Sequence, residues 1–333
     1  MPDKPTNADE NSVQIDSASL NSIRQGLDLL REYLEYGSRG SLDSAIDLFG
    51  KAEYRCIYAR DECLYQLGKG LLYRYRATGS MDDRQSAYCT VQRALDLHAE
   101  TGLSSTAVRH RVTLGELMLH DFRRTSDLES LNYAISELRR LASENAAKNS
   151  RIRLLNILGG LLNARFEQTT TWEDVQSAIE ASEQALGELK ASRSESACLE
   201  ASCLNTHGIA LFYRFSSTGS DEDLSAAIDE VQAAVIKLSS QMHPDYPIYC
   251  CNLGKIFNAK FDLTGNSDDS RRARQWLKAA LRYISNSHID RNTVLLAFAS
   301  SAPRSNAVNL CREALELLNT QSDMDTSSTK ETC

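Results

Sequence analysis

Residues 246–265 read YPIYCCNLGKIFNAKFDLTG, and this stretch decides the fold because its pattern occurs elsewhere in the chain. Residues 60–79, RDECLYQLGKGLLYRYRATG, repeat it with Leu-Gly-Lys at the same place and Thr-Gly at the end. Matching positions return every 42 to 49 residues, and a self-similarity of this length indicates a repeat array. The sequence therefore predicts stacked copies of one unit.

Four columns of residues keep the register of the array. Each copy has a glycine, an aromatic residue seven positions later and an alanine nineteen positions later, and five of six copies have threonine at position ten. The glycines are Gly26, Gly68, Gly115, Gly159, Gly208 and Gly254. The aromatic residues are Tyr33, Tyr75, Phe122, Phe166, Phe215 and Phe261. The alanines are Ala45, Ala87, Ala134, Ala178, Ala227 and Ala273, and the threonines are Thr78, Thr125, Thr169, Thr218 and Thr264.

The residues around each glycine have helical spacing. In the second copy Leu64, Leu67, Leu71 and Tyr75 are three or four positions apart, which places them on one face of a helix. A glycine inside a helix costs about 1 kcal/mol relative to alanine. We therefore expect a neighbouring helix to approach the glycine closely, with no side chain between them.

Turn signals divide each copy into two helices. Gly79, Gly219 and Gly265 directly follow the column threonine, as is typical of a left-handed C-terminal cap. Ser126 and Thr170 precede a glutamate by three positions, which predicts capping boxes at the start of the second helix. Each copy is thus predicted to be a helix–turn–helix unit.

The whole chain is predicted to be all-α. We expect an α-solenoid of about six units over residues 20–318, with a partial seventh unit from Thr293 onwards. The polar segments 1–19 and 319–333 are predicted to be disordered.

The units resemble tetratricopeptide (TPR) repeats. The resemblance lies in two alanines seven residues apart in the second helix, and in Leu-Gly followed by an apolar residue, as in Leu253, Gly254 and Phe257. The copies are longer than the standard unit of about 34 residues. The longer form looks like the repeats that precede CHAT peptidase domains in fungal proteins, carried by residues 243–245, 249–255 and 261–265. The resemblance covers about residues 20–285 and implies a concave wall, formed by the first helices, that binds a protein or peptide.

Composition excludes some classes of partner. The net charge of −8 argues against nucleic acid or an anionic membrane as the main partner, because both require a basic face. No signal peptide and no apolar run of membrane-spanning length occurs, so we expect the cytoplasm, with the nucleus as the alternative. The nine cysteines contain no C-x-x-C pair, and neither a metal nor a cofactor is predicted.

Two patterns in the sequence resemble functional motifs, a phosphate loop and a Cys–His dyad. Gly68-Lys69 and Gly254-Lys255 lack the earlier glycine and the following Ser or Thr of a phosphate loop. Cys203 and His207 are four residues apart on one helical face, where a Cys–His dyad could form. His207 occupies a column that holds leucine in other copies, so a core histidine is the favoured interpretation. The chain is predicted not to be an enzyme.

Two sets of residues are candidates for binding. The first consists of cations six positions after the glycine: Arg74, Arg165, Arg214 and Lys260. They could form a ladder for an acidic peptide, or they could pair with acids of adjacent helices. The second set follows from the TPR resemblance and lies on the expected concave wall: Lys69, Tyr73, Asn156, Asn205, Tyr213 and Lys255.

The expected function is that of a non-catalytic scaffold that binds a protein or peptide on its concave face. Two alternatives remain open at this stage. The first is an accessory factor or an enzyme of unfamiliar type in a fungal metabolic pathway. The second is a regulatory fragment of a CHAT-type protein that acts through self-association.

Overall fold

The computed structural model describes residues 7–55, 60–98, 105–143, 148–192, 196–238, 240, 242–302 and 306–317. These residues form helices joined by short turns, with no strand among them. The helices are α1 (Asn7–Tyr36), α2 (Arg39–Arg55), α3 (Arg60–Thr78), α4 (Met81–His98), α5 (Ser105–Thr125), α6 (Leu128–Ser143), α7 (Lys148–Thr169), α8 (Trp172–Ser192), α9 (Ala197–Thr218), α10 (Asp221–Lys237), α11 (Tyr246–Thr264), α12 (Ser267–Tyr283), α13 (Arg291–Ser301) and α14 (306–317). The prediction of an all-α solenoid is confirmed.

The helices pack as successive pairs in two layers. Each odd-numbered helix from α1 to α11 packs against the even-numbered helix that follows it, which gives six units. Odd-numbered helices also contact one another, as α5 does α7 and α7 does α9, so they form the inner layer. Helices α13 and α14 occupy the place of the partial seventh unit. None of the described helices is both long and apolar enough to cross a membrane.

The glycine column lies where the two helices of a unit approach most closely. A Cβ atom on Gly254 would lie 2.5 Å from Cγ of Leu277 in α12. A Cβ atom on Gly208 would lie 2.7 Å from Cγ2 of Val231 in α10. As predicted, the neighbouring helix at these two glycines fills the space that a side chain would need.

The turn inside each unit has one geometry. The residue eleven positions after the column glycine has a positive φ, between +53° and +73°, in all six units. Its N–H donates to the carbonyl of the column aromatic residue at 2.7 to 2.8 Å. These residues are Gly37, Gly79, Ser126, Thr170, Gly219 and Gly265.

The two predicted capping boxes are therefore wrong. Ser126 and Thr170 end the first helix of their units, in the left-handed position that glycine holds elsewhere. In the third unit the next residue, Asp127, caps α6 instead: its Oδ1 accepts from the N–H of Glu129 at 3.0 Å. The serine or threonine was misread because its spacing to the glutamate fits a capping box. Closing the preceding helix outweighed the strain of a non-glycine residue at positive φ.

The threonine column joins the two helices of a unit. In α9 the hydroxyl of Thr218 donates to the carbonyl of Arg214 at 2.9 Å. The same oxygen accepts from the N–H of Ser220, the N-cap of α10, at 3.3 Å. Both bonds recur in the units of Thr78, Thr125, Thr169 and Thr264. One side chain thus fixes the end of one helix relative to the start of the next.

The N-terminal prediction also needs a correction. Residues 7–19, which were expected to be disordered, belong to helix α1. No proline or glycine occurs between Asn7 and Gly26. Extending an existing helix costs much less than nucleating one, so polar composition alone does not end it. The remaining residues of the two predicted disordered segments, 1–6 and 319–333, lie outside the described residues.

The stack closes on itself through a contact that the prediction of a concave wall did not include. The N–H of Ile289, in the segment before α13, donates to the carbonyl of Arg76 at 3.1 Å. The hydroxyls of Ser285 and Ser287 donate to the carbonyl of Ala77 at 2.9 and 3.0 Å. We call this contact between the segment 284–290 and the C-terminal end of α3 the closure seam. It brings the sixth unit against the second.

Candidate functional site

The inner layer of helices lines a partly open cavity of about 620 Å³. Helices α3, α5, α7, α9, α11 and α13 contribute to its wall, together with the segment that precedes α11. The closure seam joins two parts of this wall, because it bonds the end of α3 to the segment before α13. We call this space the central cavity.

Six of the ten predicted binding residues line the central cavity. All six come from the set that the TPR resemblance placed on the concave wall: Lys69, Tyr73, Asn156, Asn205, Tyr213 and Lys255. Their positions relative to the column glycine are −3, +1 and +5, and residues four apart lie on one stripe of a helix. The residues that the resemblance placed on a concave wall therefore share one stripe of the inner helices and line the central cavity.

The other four predicted residues face the second helix of their own unit. Each pairs with an aspartate nine residues later, which we call the paired column. The nitrogen–oxygen distances are 2.6 Å for Arg74–Asp83, 2.8 Å for Arg165–Asp174, 2.6 Å for Arg214–Asp223 and 3.9 Å for Lys260–Asp269. The three arginines donate through two nitrogens each. The interpretation of these cations as a ladder for an acidic peptide is therefore not supported, and the alternative, pairing with acids, describes them.

The sequence contained a signal for this pairing. Aspartate stands fifteen positions after the column glycine only in the four units that have a cation at position six. The first and third units have Glu32 and Asp121 at position six, and serine at position fifteen. Residues at two positions that change together between copies indicate contact between those positions. A comparison of the copies with one another would have shown it.

An ion pair holds two parts of the cavity wall together. Nη2 of Arg76, near the end of α3, lies 2.6 Å from Oδ1 of Asp245, at the start of α11. Burial raises the pKa of Asp245, but the charge of Arg76, together with its hydrogen bond and the effects of other neighbouring groups, lowers that pKa to about 2. Asp245 is therefore ionised at neutral pH, and the pair connects the second unit to the sixth across the seam.

Two His-x-Asp segments with one geometry lie beside this pair. Nδ1 of His243 accepts from the N–H of Asp245 at 3.1 Å, and Nδ1 of His288 accepts from the N–H of Asp290 at the same distance. An imidazole that accepts at Nδ1 is neutral. Burial accordingly lowers the pKa of His243, and it lowers that of His288 to about 4. The repetition of His-x-Asp at an interval of 45 residues was visible in the sequence.

The cavity wall carries charges of both signs. Nζ of Lys69 lies over the rings of Tyr65 and Tyr73, 5.7 and 5.6 Å from their centroids. Burial raises the pKa of Glu116, and the charges of Lys69 and Arg153 partly offset this. The wall therefore carries both positive and negative side chains and is not a basic surface.

Buried polar atoms of the wall have no hydrogen-bond partner among the described residues. They are Nε of Arg76, Nδ1 of His120, Oδ1 of Asn156, Oδ1 of Asn163 and Oδ2 of Asp290. The last four residues are only 4 to 9% exposed. An unsatisfied buried polar group costs about 1–3 kcal/mol. The wall therefore has hydrogen-bonding capacity that its own residues do not use.

The two asparagines have fixed orientations. Nδ2 of Asn156 donates to Oγ of Ser202 at 2.7 Å, and Nδ2 of Asn163 donates to the carbonyl of Thr206 at 3.0 Å. Because each amide nitrogen is engaged with α9, each amide presents its oxygen as the remaining acceptor. The two asparagines are seven positions apart, which corresponds to about 10 Å along α7.

Several wall residues were missed by the sequence analysis. His120 stands five positions after its column glycine, in the same column as Tyr73 and Tyr213. Arg76 and Arg123 stand eight positions after theirs, one turn farther along the same stripe. These three residues lie on the same helical stripe as the predicted wall residues. Extending that stripe by one turn in each copy predicts them from the sequence.

The geometry at Cys203 and His207 is that of a buried core. Nδ1 of His207 lies 2.7 Å from Oε2 of Glu230 in α10. Cys203 is fully buried, and burial raises the pKa of its thiol to about 12. The thiol is therefore protonated at neutral pH, whereas a catalytic dyad requires a thiolate.

No family model matches the chain, and no curated protein matches it. The crystal structure of BtubC (BKLC) from P. vanneervenii is similar over 82% of this chain and 94% of that chain, with 13% identity and a TM-score of 0.37. A likeness at this TM-score carries no argument about fold or function.

Proposed function

We propose that this chain is a non-catalytic binding protein that takes a short peptide segment of a protein partner into its central cavity. The observation that carries the proposal is the set of unpartnered, buried polar atoms on the cavity wall. A ligand that supplies complementary groups would recover the free energy that their burial costs.

The size of the cavity suits such a ligand. A volume of about 620 Å³ lies within the range of about 300–1,000 Å³ that is usual for ligand pockets. The separation of about 10 Å between Asn156 and Asn163 is spanned by about three residues of extended peptide.

The chemistry of the wall suits a peptide main chain. The oxygens of Asn156 and Asn163 accept, and Nε of Arg76 donates, as the amide and carbonyl groups of a peptide require. Tyr73 and Tyr213 add aromatic surface. The wall carries five cations and four acids, so it does not select strongly for an acidic ligand. Preference for an acidic peptide stays a prediction.

Blocking the cavity tests the proposal. Gly160 lies on the cavity wall, and a Cβ atom there would meet only Cδ2 of Leu119 at an ordinary 3.6 Å. We expect Gly160→Leu to fold and to fill part of the cavity. A random peptide library would be panned against the wild-type chain, and the affinity of enriched peptides measured by fluorescence anisotropy. Binding to Gly160→Leu should be at least about tenfold weaker, equivalent to about 1.4 kcal/mol.

The matched control is Gly187→Leu. Gly187 lies in the outer helix α8 with no atom within 4 Å of an added Cβ, so this variant makes the same chemical change away from the cavity. Its peptide affinity should equal that of the wild type. The proposal fails if no peptide is enriched, or if Gly160→Leu binds as tightly as Gly187→Leu.

A further inference from the structure

A carboxylate and two imidazoles meet outside the central cavity. Asp61 lies in the first turn of α3, His98 is the last residue of α4, and His110 lies in α5. Oδ1 of Asp61 accepts from Nε2 of His98 at 2.7 Å and from Nε2 of His110 at 2.8 Å. One ligand atom from each residue lies within 4.8 Å of the other two.

We propose that Asp61, His98 and His110 form a binding site for a divalent transition-metal ion of the zinc type. Two imidazole nitrogens and one carboxylate oxygen are the donors that such ions prefer, whereas Ca²⁺ and Mg²⁺ take oxygen ligands. Three protein ligands leave a fourth position open. The proposal is independent of peptide binding, because none of the three residues lines the central cavity.

The distances allow the ion to enter with a small movement. With metal–ligand bonds of about 2.0–2.1 Å in a tetrahedron, neighbouring ligand atoms are about 3.3 Å apart. The two nitrogen–oxygen distances must therefore lengthen by about 0.5–0.6 Å. His98 ends its helix and the side chain of Asp61 is 29% exposed, so both can make this movement. His110 is fully buried and supplies the fixed ligand.

Neighbouring residues hold the site in shape. Arg109 donates to both oxygens of Glu62, at 2.9 and 3.1 Å, which ties α5 to α3 next to the site. The Arg109 guanidinium lies over the Tyr65 ring, 3.7 Å from its centroid, and that ring meets the ring of His110 edge to face at 5.8 Å. These contacts fix the backbone and the imidazole before an ion arrives, as a preorganised site requires.

Helix electrostatics explains only part of the cluster. A carboxylate in the first turn of α3 and a histidine in the last turn of α4 both suit the helix dipoles. That argument does not account for His110, a fully buried imidazole that reaches the same carboxylate oxygen from a different unit. An ion at this point would link α3, α4 and α5, and so join the second unit to the third.

Cobalt binding to the intact chain tests the site. Chelator-treated protein would be titrated with Co²⁺ and Zn²⁺, and followed by visible absorption and by equilibrium dialysis. We expect one Co²⁺ per chain, visible absorption bands of a four- or five-coordinate ion, displacement by Zn²⁺, and a higher Tm when Zn²⁺ is bound. Asp61→Asn and His98→Gln should each weaken binding at least about tenfold.

The variants and controls keep the test decisive. His110 is avoided because a substitution at a fully buried position could unfold the chain. Asp61→Asn keeps the size of the side chain, and far-UV circular dichroism checks that both variants are helical. The control is His207→Gln. His207 and its partner Glu230 belong to the fifth unit, away from the proposed site, so this variant should bind Co²⁺ as the wild type does. The site is refuted by a wild-type chain that binds no Co²⁺, by Asp61→Asn and His98→Gln that bind it undiminished, or by near-ultraviolet absorption showing cysteine ligation.

Discussion

The paired column and the wall of the central cavity lie on the same inner helices but use their polar residues differently. Each cation of the paired column pairs with an aspartate of its own unit, so these polar groups have their partners within one unit. The wall instead contains buried atoms without partners and pairs that form only across distant units, as Arg76 does with Asp245. The difference shows that charge repeated at one position supports each unit, whereas the irregular polar residues on the neighbouring stripe line the central cavity, where we propose that a ligand binds.

Breaking the paired column should cause the largest loss of stability. Arg165→Met leaves the carboxylate of Asp174, whose side chain is 1% exposed, without its cation. Removing one partner of a buried ion pair costs about 3–5 kcal/mol, so we expect a fall of about 3 kcal/mol in the free energy of unfolding, measured by urea denaturation. Affinity for peptides should not change. Loss of peptide binding with unaltered stability would show that the cation serves the ligand after all.

His288, which lies in the closure seam, predicts a fall in stability at acid pH. His288 has a pKa of about 4 in the folded chain, below its ordinary value of 6.5. As the pH falls from about 6.5 to 4, the imidazole of His288 binds a proton in the unfolded chain but stays neutral in the folded chain. The free energy of unfolding therefore decreases across this window. The loss from this residue is about 2–3 kcal/mol.

Asp245 acts in a lower window with the same direction. Its depressed pKa contributes stability above about pH 4, and this contribution is lost as the pH falls towards about 2.

The variant His288→Asn retains an acceptor for the N–H of Asp290 but cannot titrate. Its free energy of unfolding, measured between pH 7 and 4, should vary less with pH than that of the wild type. Equal slopes for the two proteins would refute the role of His288.

Two glycines of inner helices should respond oppositely to alanine. Gly254→Ala places a Cβ atom 2.5 Å from Cγ of Leu277, and such overpacking costs about 1–3 kcal/mol. Gly160→Ala faces the cavity, with its nearest contact at 3.6 Å, and should stabilise the chain by up to about 1 kcal/mol through helix propensity. Thermal denaturation of the two variants measures the contrast. A stabilised Gly254→Ala would remove close packing as the reason for the glycine column.

The smallest effect is expected at the weakest member of the paired column. Nζ of Lys260 lies 3.9 Å from Asp269, whereas Arg214 makes two bonds to Asp223 at 2.6 and 2.8 Å. Lys260→Arg should reproduce the two-bond geometry and raise the free energy of unfolding by about 0.5–1 kcal/mol. High salt should reduce the gain, because this pair is partly exposed. No gain at low salt would mean that the arginine does not reach Asp269.

The repeat register carried most of what could be predicted about the fold. It located the two helices of each unit, the close approach at Gly254 and the stripe that holds Lys69 and Tyr73, because these depend on residues within about 20 positions of one another. It misassigned Ser126 and Thr170, since a helix end and a helix start share the same few polar residues. It also ranked Arg165 as a binding residue, because the aspartate that satisfies it was not compared across copies.

Other parts of the candidate sites depend on residues far apart in the chain. Arg76 and Asp245 are separated by 169 positions, and nothing near either residue indicates the other. Asp61, His98 and His110 come from three helices and have no ligand spacing that a motif would reveal.

The sequence by itself determined the unit, its two helices, its turn and its stacking, because those follow from local propensity and from apolar faces that repeat at a constant interval. Only the tertiary structure decided how far the stack curves, and hence that its sixth unit meets its second beside a partly open cavity. Curvature is the sum of small rotations between neighbouring units, each set by the packing of particular side chains. A small change at each interface would separate Arg76 from Asp245 without altering the repeat pattern.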